Sequence, residues 1–155
     1  MTAIEEHAQP AQLKNTKLDL KVFLDGLVAD GRINQADHDR AVKNRHNADH
    51  RAKHILHYLA DIDLTDLKNP GSTLDIEHLT MALSKQAGQD YYRIDPLKID
   101  VAQVTQVMDF KFSQRHEILA VEDNDNEVIV ASAEPYLDSW ESVLEHTSRK
   151  KLKRV

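Results

Sequence analysis

Four histidines occur in the stretch HNADHRAKHILHYL, in a chain that contains no cysteine. They are His46, His50, His54 and His57. Imidazoles spaced three or four residues apart on a helix can bind zinc, and histidine also changes charge near neutral pH. On a single helix the four rings span about 80° and lie opposite an apolar stripe. The stretch is therefore interpreted as a solvated helix face without a metal, with a metal site and a pH-sensitive contact as weaker alternatives.

Motifs for catalysis are missing from the sequence. It has no G-x-x-x-x-G-K-[ST] loop and no G-x-G-x-x-G loop for phosphates. The acidic run from Asp123 to Glu127 resembles the start of a calcium-binding EF-hand loop, but Val128 stands where that loop needs glycine. A hairpin turn explains these acids better. We expect a chain that is not an enzyme and holds no cofactor.

The composition favours an ordinary globular protein, with 41% apolar and 30% charged residues among 155. A net charge of -6 argues against nucleic-acid binding, which normally needs a basic surface. Runs of apolar residues are too short for a membrane span, so the cytosol is the expected compartment. The basic segment Ser148–Val155 is interpreted as a last strand with solvated lysines, and the alternative is a patch for an acidic partner.

The first part of the chain has helical periodicity. We predict a flexible N-terminus over residues 1–14 and a helical subdomain over residues 15–88. The first helix is indicated by an apolar stripe with helical spacing, formed by Leu20, Phe23, Leu24, Leu27 and Val28. Further helices are predicted after Asn34, over Arg51–Ala60, and from Asp75 to Gly88.

The pattern changes after Gly88, and residues 89–155 are predicted to form an α+β module. Its order is predicted as βαββαβ, a small sandwich with helices on one face of the sheet. The expected elements are strand 91–94, helix 101–108, the hairpin 118–121 and 128–131, helix 137–146, and strand 151–155.

Three separated phrases in the α+β module carry a family resemblance. They are RIDPLKID at Arg93–Asp100, RHEILAV at Arg115–Val121 and VIVASAEP at Val128–Pro135. In this order they resemble the N-terminal domain of the motor ATPases that drive type II secretion and type IV pilus assembly. The helical segment Leu27–Val42 is also similar to the unit that precedes this domain in the same ATPases.

The resemblance implies a function without catalysis in this part of the chain. Family members normally continue into a RecA-type motor with a phosphate-binding loop, so we expect an isolated N-terminal domain or a stand-alone relative. Such a domain would link the motor domain to a platform protein of the inner membrane, and would lie in the cytoplasm, peripheral to that membrane through its partner. It would neither bind nucleic acid nor insert into the bilayer directly.

Candidate docking residues are taken from the first helix and from the resembling phrases. They are Leu20, Phe23, Leu24, Leu27, Arg93 and Arg115. The alternative for the four apolar residues is a place in the core.

Related domains also bind cyclic di-GMP through motifs close to L-G-x-x-L-V-x-x-G-x-I. The candidate residues for that ligand are Leu27, Gly31, Arg32 and Arg45. Three departures disfavour binding: Phe23-Leu24 stands where Leu-Gly is expected, Arg45 stands near the expected glutamine, and no clean second motif follows. Loss of that glycine removes a close approach of the backbone to the ligand.

Overall fold

The computed structural model describes residues 14–155, so the predicted flexible N-terminus lies outside the described residues except for Lys14. Two compact units are present, residues 18–82 and residues 83–155, and residues 14–17 group with the second unit. This boundary falls inside a helix, whereas the sequence placed it at residue 88. The division into subdomains at residue 88 stays a prediction.

The first unit is built from helices. They are α1 (Leu20–Ala29), α2 (Gln35–Asn44), α3 (Ala48–Arg51), α4 (Ile55–Asp61) and the first half of α5 (Ile76–Ala87). Side-chain caps explain where the first two begin. The Asp19 carboxylate accepts from Val22 N at 3.0 Å, and Asn34 Oδ1 accepts from Asp37 N at 2.8 Å. Each bond satisfies a backbone donor that has no partner within the helix.

The interior of the helical unit is apolar. Its fully buried large side chains are Phe23, Leu24, Leu27, Ile33, Tyr58, Leu59, Leu64, Leu74 and Leu79. The one phenol among them has a polar partner, because Tyr58 Oη donates to Ala41 O at 2.6 Å. Burial of that hydroxyl therefore leaves no unpaired donor.

The second unit is α+β, as predicted. A 3-10 turn (Pro96–Lys98) leads into α6 (Val101–Val107) and α7 (Phe110–His116), and these are followed by β1 (Ile118–Asp123), β2 (Glu127–Ser132), α8 (Glu141–Ser148) and β3 (Lys151–Arg154). The sheet order is β1-β2-β3, with an antiparallel first pair and a parallel second pair. Within residues 14–155, no helix is long and apolar enough to cross a bilayer.

One face of the sheet carries the main core of the α+β unit. Its buried members come from α6, the sheet and the α8 region, and are Val104, Met108, Ile118, Ala120, Val128, Val130, Trp140 and Leu144. A smaller cluster contains Val121, Ile129 and Val155, with Tyr92 and Ile99 packed against it.

Three details of the predicted α+β module are wrong. Residues Tyr91–Ile94 form no strand, since Tyr92 instead packs its ring on the smaller cluster and donates to Glu122 Oε1 at 3.0 Å. That hydrogen bond raises the pKa of Tyr92, because ionisation of the phenol would remove the donor. The last helix begins at Glu141 rather than Leu137. The helix α7, which the sequence did not predict, precedes β1.

Candidate functional site

The histidine stretch does not form one helix. Helix α3 ends at Arg51, and His54 is the N-cap of α4, where its Nδ1 accepts from Leu56 N at 3.2 Å. The shared register that would gather His46, His50, His54 and His57 is therefore wrong. Among residues 14–155, no group of three or more His, Asp or Glu side chains is placed to hold a metal ion.

Arg45 organises the histidine stretch. Its guanidinium donates to three backbone carbonyls, those of His50, Arg51 and Lys53. Its Cζ also lies 5.0 Å from the centroid of the Tyr58 ring, a cation–π distance. Carbonyls at the end of a short helix need donors, and Arg45 supplies them. This cyclic di-GMP candidate is thus engaged with the backbone of its own chain.

Arg32 is also engaged within the chain. Its Nη1 lies 3.0 Å from Oδ2 of Asp66, whose side chain is only 1% exposed. The second carboxylate oxygen, Oδ1, accepts from Lys68 N at 3.0 Å. Gly31, the neighbouring candidate, adopts φ +71 after α1, a conformation that favours glycine. Leu27 is fully buried. Each of these candidates has a role within the fold.

We expect Arg32→Ala to destabilise the helical unit by about 2–3 kcal/mol. The substitution leaves the buried Asp66 carboxylate without its cation, and partial exposure of Arg32 reduces the loss below that of a fully buried pair. Denaturant unfolding followed by circular dichroism measures the change. The matched control is Arg40→Ala, which removes an exposed pair with Asp37 and should cost less than about 1 kcal/mol. Equal losses of stability in the two variants would contradict a stabilising role of the Arg32–Asp66 ion pair.

The apolar docking candidates require a correction. Phe23, Leu24 and Leu27 are fully buried, so they are core side chains and form no exposed docking face. Leu20 is half-buried. Arg93 and Arg115 are exposed, and Arg115 lies in the last turn of α7. These arginines remain candidates for contact with a partner.

A groove in the α+β unit is a concave surface that the sequence did not reveal. Its volume is about 290 Å³, and its lining consists of Pro96, Ile99, Val101, Val104, Thr105, Met108, Phe110, Ser113, Leu119 and Ala120. Phe110 and Val101 are 76% and 65% exposed at its border. Several apolar side chains that are this exposed and lie close together are unusual, and such a patch is typical of an interaction surface.

The elements around the groove fix its shape. Helix α6 contributes the face that contains Val101, Val104 and Thr105, since residues three or four apart share one side of a helix. Its C-cap Met108 also lines the groove. Phe110 lies at the first position of α7, where Asp109 caps the helix by accepting from Phe112 N at 2.7 Å. Capping holds the start of α7 in place, so the aromatic ring is presented at the border.

Three aspartates adjoin the residues that line the groove. Asp95, Asp100 and Asp109 precede or follow lining residues in the chain, and each caps a helical turn. Each carboxylate is thereby fixed in position near the apolar surface. In the sequence, this site is visible only as an aspartate followed by an apolar residue at the start of successive helices. That pattern ordinarily indicates helix capping alone.

Comparisons with known proteins agree with the resemblance stated above. No family model matches the chain. The chain is 33% identical over 129 residues to the type IV pilus assembly ATPase TfpB of Acinetobacter baylyi, a match that covers 83% of this chain and 22% of TfpB. It therefore spans about a fifth of the length of that curated relative.

The fold is similar to that in the structure of MshE with cdg. The TM-score is 0.60, the sequence identity is 15%, and the match covers 86% of this chain and 87% of that one. At this identity the likeness concerns the fold alone. Together with the three phrases in the α+β unit, the match to TfpB supports the resemblance: over 83% of its length, this chain is a relative of one segment of a type IV pilus assembly ATPase.

Proposed function

We propose that this chain is a non-catalytic docking and regulatory module of a type IV pilus or type II secretion motor ATPase. It links the motor domain to a platform protein at the cytoplasmic side of the inner membrane. The observation that carries the proposal is the apolar groove, open to solvent, in a chain that resembles this family. An exposed apolar surface of this kind is typical of protein contact sites.

The chemistry of the groove supports docking over catalysis. Its only side-chain hydroxyls belong to Thr105 and Ser113. Thr105 Oγ1 donates to Val101 O at 2.8 Å, and Ser113 Oγ donates to Ile118 O. A hydroxyl that donates its proton to a backbone carbonyl is not donating it to a general base, so it is not an activated nucleophile. The lining therefore suits apolar side chains of a partner.

Phe110→Ser is expected to weaken binding of the platform partner by at least about tenfold, as loss of an aromatic anchor does. Biolayer interferometry would measure the chain against the cytoplasmic domains of the platform proteins from the pilus and secretion systems of the same bacterium. Val143→Ser is the matched control, because Val143 is 51% exposed on α8 and does not line the groove. Absence of binding to every platform domain would contradict the proposed function.

Cyclic di-GMP sensing is a second candidate function. It is favoured by the likeness to MshE, whose structure was solved with cdg, an abbreviation for this dinucleotide. It is weakened by the internal bonds of Arg32 and Arg45. Calorimetric titration of the chain with cyclic di-GMP tests it, and saturable binding would place regulation by the dinucleotide ahead of protein docking. Because Arg32→Ala also breaks a buried ion pair, loss of binding in that variant would need a check that it remains folded.

A further inference from the structure

We propose that the groove of the α+β unit binds an amphipathic helix of the partner, with apolar side chains facing the groove and lysines or arginines beside them. This inference rests on the proposed docking function and names the chemistry of the segment that docks. Three features of the groove support it. They are the closure of the neighbouring strand, the helical face of α6, and the signs of the charges at the border.

Strand β1 offers too little open backbone for an added strand. Only Leu119 and Ala120 of this strand line the groove. At one end of the strand, Ile118 O accepts from the Ser113 hydroxyl, and at the other end Asp123 O accepts from Gln103 Nε2 at 2.6 Å. Strand addition relies on a run of unpaired backbone groups along a sheet edge. The occupant therefore contacts the groove through its side chains.

The face of α6 matches a helical occupant. Val101 and Thr105 lie one turn apart on α6 and are both exposed, so side chains of a second helix can pack beside them. Phe110 and Leu119, which are 76% and 39% exposed, border the same groove. Apolar residues at i, i+3 or i+4 and i+7 of a partner helix are the standard way to fill such a surface.

The charges at the border favour a basic partner. Asp100 and Asp109 each use one carboxylate oxygen as a helix cap, with bonds from Gln103 N at 3.1 Å and from Phe112 N at 2.7 Å. Each cap bond holds its carboxylate in place beside the groove. The cations of α7 are directed elsewhere, because Lys111 and Arg115 are rotated about 100° and 140° from Phe110 around the helix.

The charge of Lys98, two residues after the lining residue Pro96, is compensated. Lys98 is 3.8 Å from Asp95 Oδ2, so this pair adds no net charge to the border. The local field is therefore acidic, in a chain whose net charge is already -6. Complementary charge at the rim of an interface raises the rate of association and selects the partner. Lysine or arginine beside the apolar face of the docking helix would supply this complementary charge.

The test uses the full chain and two synthetic helices. One contains leucine on one face and lysine on the other, and the second has glutamate in place of lysine. Fluorescence anisotropy at low salt should show saturable binding of the leucine–lysine helix and at least tenfold weaker binding of the leucine–glutamate helix. Phe110→Ser should weaken the first interaction by about tenfold or more, which locates it in the groove.

Two pairs of charge-removing variants distinguish attraction to the groove border from general attraction to an acidic protein. Asp100→Asn with Asp109→Asn removes two carboxylates, while asparagine keeps both helix caps. Asp49→Asn with Asp63→Asn removes the same charge from exposed positions in the helical unit. The first pair should weaken binding by roughly threefold to tenfold and the second by less than about twofold. Equal effects of the two pairs would overturn the assignment of the border.

Two other outcomes would overturn this inference while leaving the proposed function intact. In the first, a platform domain binds and Phe110→Ser weakens it, yet neither synthetic helix binds and the asparagine pair has no effect. In the second, the chain self-associates and Phe110→Ser makes it monomeric, so that a second copy occupies the groove. If instead the leucine–lysine helix binds as described and every platform domain fails to bind, the proposed function fails by itself.

Discussion

Leu24→Asp is expected to unfold the helical unit. Leu24 has no exposed surface, and aspartate at this position would bury a carboxylate without a cation or a hydrogen-bond donor. The cost exceeds about 4 kcal/mol, a large part of the total stability of a small domain. Circular dichroism should show a loss of helix, and amide hydrogen exchange should show a loss of protection across residues 18–82.

Leu20→Asp is the matched control for this substitution. It introduces the same side chain on the same helix, but Leu20 is half-buried and the carboxylate would reach water. The expected loss is about 1–2 kcal/mol, within the usual range for a single substitution. If Leu24→Asp kept normal amide protection and weakened only partner binding, Leu24 would return as a docking residue.

Trp140→Ala is expected to destabilise the α+β unit by about 3–5 kcal/mol. Trp140 is 1% exposed and belongs to the main core of that unit. Its Nε1 donates to Leu137 O at 3.1 Å, and the guanidinium of Arg154 lies 5.2 Å from the ring centroid. Alanine would leave a cavity and would remove the aromatic partner of the cation. Unfolding in guanidinium, followed by circular dichroism, measures the loss.

Trp140→Phe is the control that separates packing from hydrogen bonding. Phenylalanine keeps most of the buried ring and removes the N–H donor. Leu137 O still accepts from Arg154 Nη2 at 2.9 Å, so the carbonyl keeps a partner. A loss of about 1–2 kcal/mol is expected. A loss as large as that of alanine would show that the hydrogen bond, and not the filling of the core, dominates the role of Trp140.

Elements with clear periodicity could be predicted from the sequence. The apolar stripe of α1 and the alternation that defines the hairpin β1–β2 follow from local geometry, so both elements were located to within a few residues. Helix α6 was found for the same reason. The family resemblance depended on residues 89–155, where three separated phrases occur in order.

The errors arose where contacts of single side chains determine the local structure. The break between α3 and α4 depends on Arg45, which binds carbonyls five to eight residues further along the chain. Tyr91–Ile94 has the residue types of a strand, but Tyr92 uses its ring and hydroxyl for packing in place of backbone pairing. Neither contact leaves a periodic signal in the sequence.

The groove could not be predicted because periodicity does not distinguish covered from uncovered apolar faces. Val101, Val104 and Met108 share one side of the helix predicted over residues 101–108, and the sequence alone indicates only that this side is apolar. In the structure Val104 and Met108 are buried, whereas Val101 is 65% exposed. Exposure depends on which elements pack nearby, and this is a property of the tertiary fold.

The parallel pairing of β2 with β3 sets the order in which the α+β unit can form. Hairpin β1–β2 closes over a short loop, and such hairpins form within microseconds. Strand β3 pairs with β2 only after α8 has crossed between them, and Val155 N then donates to Val130 O at 3.0 Å. Closing a longer loop costs more chain entropy and slows the step. The contact between Trp140, which precedes α8, and Arg154, which lies on β3, therefore joins the two ends of the crossover.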